Sequence, residues 1–487
     1  MRVFLNSQGY SYDVHSLVKA FYPEEDVKIV TDERGYDNSA LSVYVSSQDI
    51  KGDMAVSGFV RVTIPQGAHV VTKEETYKNA SRSEVKNVLK RTLYHALSDV
   101  TGRSLPWGTM TGIRPTKVPM KLIVEGRSDE QIAEYLRSVY LCSDEKIALA
   151  TSIAHTEKTV ISRLGDKGFS LYIGIPFCPT TCMYCSFTSY PITVWRDKTD
   201  DYLNALKREL DAISGLYKGR AADSIYIGGG TPTTLEADQL CDLMDHVAKR
   251  FDLSHLLEYT VEAGRPDSIT IDKLNALKTS GCGRISINPQ TMNDKTLKII
   301  GRRHTTDDVY KAFDIARSVG FTNINTDLIL GLPGEDEADV ANTFDKIKDL
   351  SPDSITVHSM AIKRAAAMHE FLTKNSDIKS INTPNMMEEA SRCADSLDMI
   401  PYYLYRQKNM AGNFENVGYA KKNCPGIYNI IIMEEISDIA AAGAGTISKR
   451  IWPGGRIERC DNVKDVKLYI DRIDEMIEKK NKFYEGE

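Results

Sequence analysis

From Ser170 onward, short apolar runs alternate with amphipathic stretches of helical period. A continuous apolar run bounded by turn residues marks a strand buried on both faces, and strand followed by helix, repeated, builds a parallel sheet covered by helices. The predicted strands are LYIGIP, SIYIGG, EYTVEA, RISINP, INTDLIL and SITVHS, with TDDYLNALKRELDAISGL and DEADVANTFDKIKDL among the helices between them. Six such units fall short of the eight that close a full barrel. The expected fold class is therefore α/β, a partial (β/α)6 TIM-like barrel with its site at the C-terminal strand ends.

The flanks read differently. Residues 1–165 look α+β, with strands at 41–47 and 57–65 and a helix over about 143–164. Two further helices open on capping boxes, Ser81 with Glu84 and Ser128 with Gln131, where a hydroxyl and a later side chain satisfy orphan amides reciprocally. Beyond residue 370 the strand and helix rhythm fades into a helix near 385–398. PYYLYRQ and IYNIIIMEE then read as strands, and VKDVKLYIDRIDEMIEKK as a charged closing helix with a solvated face. Three domains are expected: 1–165 of open role, 166–370 as the core barrel, and 371–487 as a small substrate-covering module.

Composition narrows the classes. At 487 residues the chain exceeds one ordinary core, and its 42% hydrophobic and 26% charged residues are those of a globular protein. No segment approaches the roughly 20 apolar residues of a membrane span, and the start soon turns polar, so a cytoplasmic location is expected. The net charge of −6, with Lys and Arg spread along the chain, argues against nucleic acid as a partner. Nine cysteines form an odd set, and reducing cytosol keeps such thiols free unless they bind metal or react.

Three of the nine stand in LYIGIPFCPTTCMYCSF as Cys178, Cys182 and Cys185, on a polar loop after the first strand. A structural zinc site wants four ligands, and the next cysteine, Cys241, is distant and in a predicted helix. An iron-sulfur cluster accounts for the spacing better: soft thiolates bind iron, a short loop can wrap three corners of a cube, and one iron stays open for a small molecule. After the second strand, IGGGTPT lets backbone approach a ligand closely. Glu262 and Asp327 are carboxylates on apolar strands, where an unpartnered charge is expensive; a structural salt bridge and a ligand contact are both open for them.

The spacing C-x3-C-x-aromatic-C, with Tyr184 as the aromatic, resembles the signature of the radical S-adenosylmethionine superfamily. The wider sequence resembles the oxygen-independent coproporphyrinogen III oxidase family, in its HemZ-like coproporphyrinogen dehydrogenase branch. The resemblance implies a 4Fe-4S cluster on the three cysteines and S-adenosyl-L-methionine beside it. Matching family positions assign cofactor contacts to Tyr172, Gly229, Gly230, Thr231, Glu262, Gln290, Arg302 and Asp327, and further ones to Tyr184, Ala361 and Ile447; Tyr172 is also the catalytic candidate. Implied too are oxidative decarboxylation of two propionates of coproporphyrinogen III to give protoporphyrinogen IX, and a reduced flavodoxin- or ferredoxin-type electron donor. Substrate carboxylates need cations, for which Arg303, Lys363, Arg364, Arg406 and Lys408 are candidates, with YYLYRQKNMAGN at 402–413 as the substrate-facing stretch. Phe187 stands where many family members carry a further cysteine, as it does in related haem chaperones. Those chaperones share an H-N-x-x-Y-W motif, whose counterpart here, YNIIIM at 428–433, lacks the histidine and tryptophan. A haem chaperone and a haem-modifying or haem-degrading radical enzyme therefore stay open beside the oxidase.

Overall fold

The six apolar runs form six parallel neighbours in one sheet, in chain order: Phe169–Ile175, Ala222–Gly229, Glu258–Gly264, Arg284–Ile287, Ile324–Leu330 and Ser354–Ser359. These are the first to sixth core strands. This is a computed structural model and describes residues 1–32, 40–47, 56–67, 69–360, 367–375, 377–407 and 414–485. Helices such as Thr199–Leu216, Ala237–Arg250 and Glu337–Leu350 connect the strands, each with its apolar stripe buried.

The sheet grows at both edges. A seventh parallel strand, Asp438–Ala442, pairs with the first core strand; its run of small residues gave little strand signal in the sequence. Ile447–Ile451 and Ile457–Asp461 continue antiparallel from it, and Asn416–Ala420 with Ile400–Tyr405 extend the opposite edge. The residues beyond 370 thus contribute five strands to the sheet of eleven. Its outermost strands do not pair with each other among the described residues, so the parallel barrel is partial.

IYNIIIMEE departs from the expected strand: Ile427–Glu434 is a helix. Ile427, Ile430, Ile431 and Glu434 are among its buried positions, a helical spacing that the β-branched run masked. Its N-terminus meets the Glu258 carboxylate, which accepts from the amides of Ile427 at 2.6 Å and Tyr428 at 3.3 Å. A carboxylate there satisfies orphan amides and complements the helix dipole. The closing segment likewise divides into Val466–Asp471 and Ile473–Glu485, and Lys480 is buried rather than solvated.

The chain folds as two compact units, Met1–His155 and Thr156–Glu487. In the first unit, Leu41–Ser47, Val56–Gln66 and His69–Ala80 form an antiparallel run joined to parallel Arg2–Leu5 and Lys28–Val30. Both predicted capping boxes are present, at Arg82–Thr101 and Asp129–Tyr140. No helix among the described residues is long and apolar enough to cross a membrane.

Candidate functional site

The first core strand runs into the cysteine loop, and that loop is tied down from three sides. Gly230 and Thr231 amides donate to the carbonyls of Ile175 at 2.8 Å and Phe177 at 2.7 Å, so the glycine loop of the second strand lies directly against the start of the cysteine loop. A Cβ on Gly230 would lie 2.6 Å from the Phe177 carbonyl oxygen, which is why glycine stands there. On another side, the Met183 amide donates to the Ile300 carbonyl at 3.1 Å, and Thr180 donates to the Gly301 carbonyl at 3.1 Å. Leu297, Ile300, Met360 and Met368 form an apolar floor under Met183 and Tyr184.

All three cysteines are free and partly buried. Thr231 Oγ1 lies 3.5 Å from Cys178 Sγ, and Arg265 Nη1 lies 3.8 Å from Cys182 Sγ. Burial pushes the Cys178 thiol up to about 11 and the Cys185 thiol upward as well. Among the described residues, no three His, Cys, Asp or Glu side chains are already gathered around a metal-sized point. The donor set still fits an iron-sulfur cluster: three soft ligands on one anchored loop, a polar rim, and the Arg265 and Arg302 guanidiniums to offset thiolate charge.

Arg265 carries no signal in the sequence beyond following a strand. It is 2% exposed, paired with Asp267 at 2.7 Å, and donates to the Thr180 carbonyl and hydroxyl at 3.1 and 2.7 Å. It therefore clamps the cysteine loop to the end of the third core strand.

Deeper in the sheet, Tyr226 donates to Glu262 Oε1 at 2.6 Å. Burial raises the Glu262 carboxyl to about 7, with Asp327 raising it further and the Tyr226 hydroxyl and Gly229 amide opposing. Tyr172 and Tyr226 stack at 6.0 Å, and Tyr428 packs on Tyr226 at 4.7 Å. Asp327 accepts from Asn325 Nδ2 at 2.7 Å and lies 4.0 Å from His358, whose ring burial disfavours protonation. The Gln290 backbone pairs with the fifth strand, donating to the Asp327 carbonyl at 3.0 Å, and sits at φ +71°. That left-handed conformation is uncommon for a side-chain-bearing residue. Arg302, buried, donates to Tyr184 Oη at 3.2 Å and to the Asn288 carbonyl.

The structure thus gathers Tyr172, Gly229, Gly230, Thr231, Glu262, Gln290, Arg302 and Asp327 at or near the C-terminal half of neighbouring core strands, with Tyr184 in the cysteine loop. Ile447 opens the strand Ile447–Ile451, which lies between Asp438–Ala442 and Ile457–Asp461, and is exposed. Ala361, Lys363, Arg364 and Lys408 lie outside the described residues, as does 408–413 of the expected substrate-facing stretch. Tyr402 and Tyr403 of that stretch are core, and Tyr405 meets His358 at 3.2 Å. Arg303 lines a cavity of about 450 Å³ with Thr180, Lys298 and His304. His304 is 3% exposed and neither ring nitrogen has a partner among the described residues, so burial lowers its pKa to about 4.

Residues 172–347 match the model of the radical SAM superfamily. Over 485 residues the chain is 37% identical to the oxygen-independent coproporphyrinogen-III oxidase-like protein HemZ of Bacillus subtilis, spanning 97% of this chain and 95% of that one. The heme chaperone HemW of the same bacterium is 33% identical over 309 residues, 63% of this chain and 76% of its own. In fold, the chain resembles the coproporphyrinogen III oxidase HemN of Escherichia coli, with a TM-score of 0.52 and 24% identity over 66% of this chain and 73% of that one. The chain belongs to the radical SAM superfamily, among the HemZ-like relatives of oxygen-independent coproporphyrinogen III oxidase, and its cofactors are a 4Fe-4S cluster and S-adenosylmethionine.

Proposed function

We propose that this chain removes carbon dioxide oxidatively from two propionates of coproporphyrinogen III, giving protoporphyrinogen IX. The observation that carries this reading is the near end-to-end match to the HemZ-like oxidase relative, which includes the flanks on both sides of the superfamily core. Cys178, Cys182 and Cys185 would hold the cluster. When bound, cluster and S-adenosylmethionine would supply the radical chemistry needed to remove hydrogen from the β-carbon of a propionate.

The chain's own residues bind and orient. S-adenosylmethionine carries an ammonium, a carboxylate and a sulfonium, and the candidate contacts match those charges. Glu262 and Asp327 suit the cationic groups and Arg302 the carboxylate, while the Gly229, Gly230 and Thr231 loop, its amides already bonded within the protein, would let the cofactor approach the backbone closely. Tyr226 keeps Glu262 an acceptor by donating to it, and Asn325 does the same for Asp327. Tyr172, Tyr184, Gln290 and Ile447 complete the proposed envelope, with Tyr172 as the catalytic candidate at the entry to the cysteine loop. Residues 371–487 would cover the substrate.

The exposed Phe187, in the position of a further family cysteine, favours the haem chaperone as a second reading. Against that reading, the counterpart of the haem motif is a helix whose Tyr428 is buried in the tyrosine stack. Anaerobic incubation of reconstituted protein with reductant, S-adenosylmethionine and coproporphyrinogen III, read by mass spectrometry, separates the two. Loss of two carboxyl groups with formation of 5′-deoxyadenosine supports the oxidase; stoichiometric haem binding without either product overturns it. Cys182→Ala should abolish the brown absorbance of the cluster.

A further inference from the structure

The loop between Asp438–Ala442 and Ile447–Ile451, residues 443–446, abuts the cysteine loop and the end of the first core strand. A Cβ on Gly445 would fall 2.9 Å from Thr188 Oγ1, and one on Gly443 would fall 2.5 Å from the Gly174 carbonyl oxygen. Both glycines have positive φ, +111° at Gly443 and +71° at Gly445, so the path is one that side-chain-bearing residues resist. It leads directly into Ile447.

Three successive amides of this loop are held from outside it. Gly443 N donates to Glu209 Oε2 at 2.8 Å, Ala444 N to Tyr202 Oη at 3.1 Å, and Gly445 N to the Val463 carbonyl at 2.8 Å. Tyr202 in turn donates to the Gly174 carbonyl at 2.6 Å, fastening the loop to the first core strand.

Glu209 is wholly buried on Thr199–Leu216, yet its carboxylate is fully subscribed. Besides Gly443 N it accepts from Asn462 Nδ2 at 2.8 Å, from Tyr469 Oη, and from Lys480 Nζ on the final helix. Lys480 is as buried as its partner and also donates to Asn462 Oδ1 at 2.8 Å, while Asn462 Nδ2 reaches the Gly443 carbonyl at 2.9 Å. A carboxylate offers about four lone-pair sites, and all have a donor here. Burying two charges gains little stability over apolar packing, but it fixes one geometry, because any shift leaves a charge unpaired.

We infer that Lys480, acting through Glu209, is a positioning residue for S-adenosylmethionine: the final helix locks the 443–446 loop, which sets Ile447 beside the cofactor. This rests on the proposed contact of Ile447 with S-adenosylmethionine.

Four full-length variants, reconstituted to equal iron content, test it by anaerobic calorimetric titration with S-adenosylmethionine and by thermal melts. Lys480→Met should weaken binding roughly tenfold, since small misplacements at a site are costly. Met476→Ala, a buried change on the same helix outside the network, should lower the melting temperature and leave affinity unchanged. If Lys480→Met weakens binding no more than Met476→Ala does, the residue is structural only and the inference fails. Should Lys480→Met not fold, E209Q/K480M removes both charges and is held to the same comparison. Gly445→Ala moves the loop directly: if it weakens binding while the Lys480 variants do not, only this inference falls. If neither weakens binding, the Ile447 contact falls as well.

Discussion

At the scale of single residues, the site is a problem of keeping carboxylates charged in an apolar sheet. Glu262 sits at about 7 because burial outweighs the Tyr226 hydroxyl and Gly229 amide that favour its anion. A folded pKa above the unfolded value means that the contribution of Glu262 to stability is fully present below about 4.5 and is lost as pH rises through 7. Tyr226→Phe removes the opposing hydrogen bond, so the group should titrate higher still, and S-adenosylmethionine binding should weaken most near neutral pH. Affinity measured from pH 6 to 9 checks this: the variant profile should be displaced to higher pH, whereas an undisplaced profile would show that Tyr226 does not tune Glu262. His304 has the opposite sign. Its stabilising contribution holds above 6.5 and is lost as pH falls through about 4, so His304→Asn should flatten the acid limb of the melting profile. Of these residues, Glu262 was legible in the sequence, as Asp327 was, because carboxylates on apolar strands announce themselves by cost; His304 was not. Tyr226 and Arg265 were not: a tyrosine or arginine at a strand end is ordinary until the neighbour it contacts is known, and those neighbours lie 36 and 83 residues away.

At the scale of elements, periodicity located all six core strands because each is buried on both faces and bounded by turn residues. It failed where the element is defined by partners distant in sequence. Ile427–Glu434 is a helix whose first amides are capped by Glu258, and Asp438–Ala442 is a strand of small residues that pairs with the first core strand. Such capping and pairing leave little local trace. The glycine loop shows how tightly elements meet. Gly230→Ala would drive a Cβ into the Phe177 and Ile175 carbonyl oxygens at 2.6 and 2.8 Å, and backbone cannot yield as a side-chain tip can. The expected cost is about 1–3 kcal/mol, the range for overpacking. Because the displaced backbone leads into Cys178, iron content after reconstitution should fall as well; full iron content with unchanged stability would show that the loops are not coupled.

At the scale of the molecule, the division between Met1–His155 and Thr156–Glu487 has a physical basis within the first unit. Its buried core draws on its own strands and on Ser11–Phe21 and Arg82–Thr101, with Val3, Leu17, Phe21, Val60, Leu89 and Leu97 wholly buried. The antiparallel pairing of Val56–Gln66 with His69–Ala80 is local in sequence, and the Ser81 capping box starts the longest helix immediately after it. Local pairings of this kind favour rapid, independent folding. A fragment of residues 1–161, which keeps the helix Asp144–Ile161 whole, should therefore melt cooperatively. Ser81→Ala should lower its stability by about 1 kcal/mol, the usual value of a serine N-cap. Circular dichroism melts of the two fragments decide the matter: a non-cooperative melt of the parent fragment would mean that the first unit draws its stability from the rest of the chain, and that the boundary near His155 does not separate two folding units.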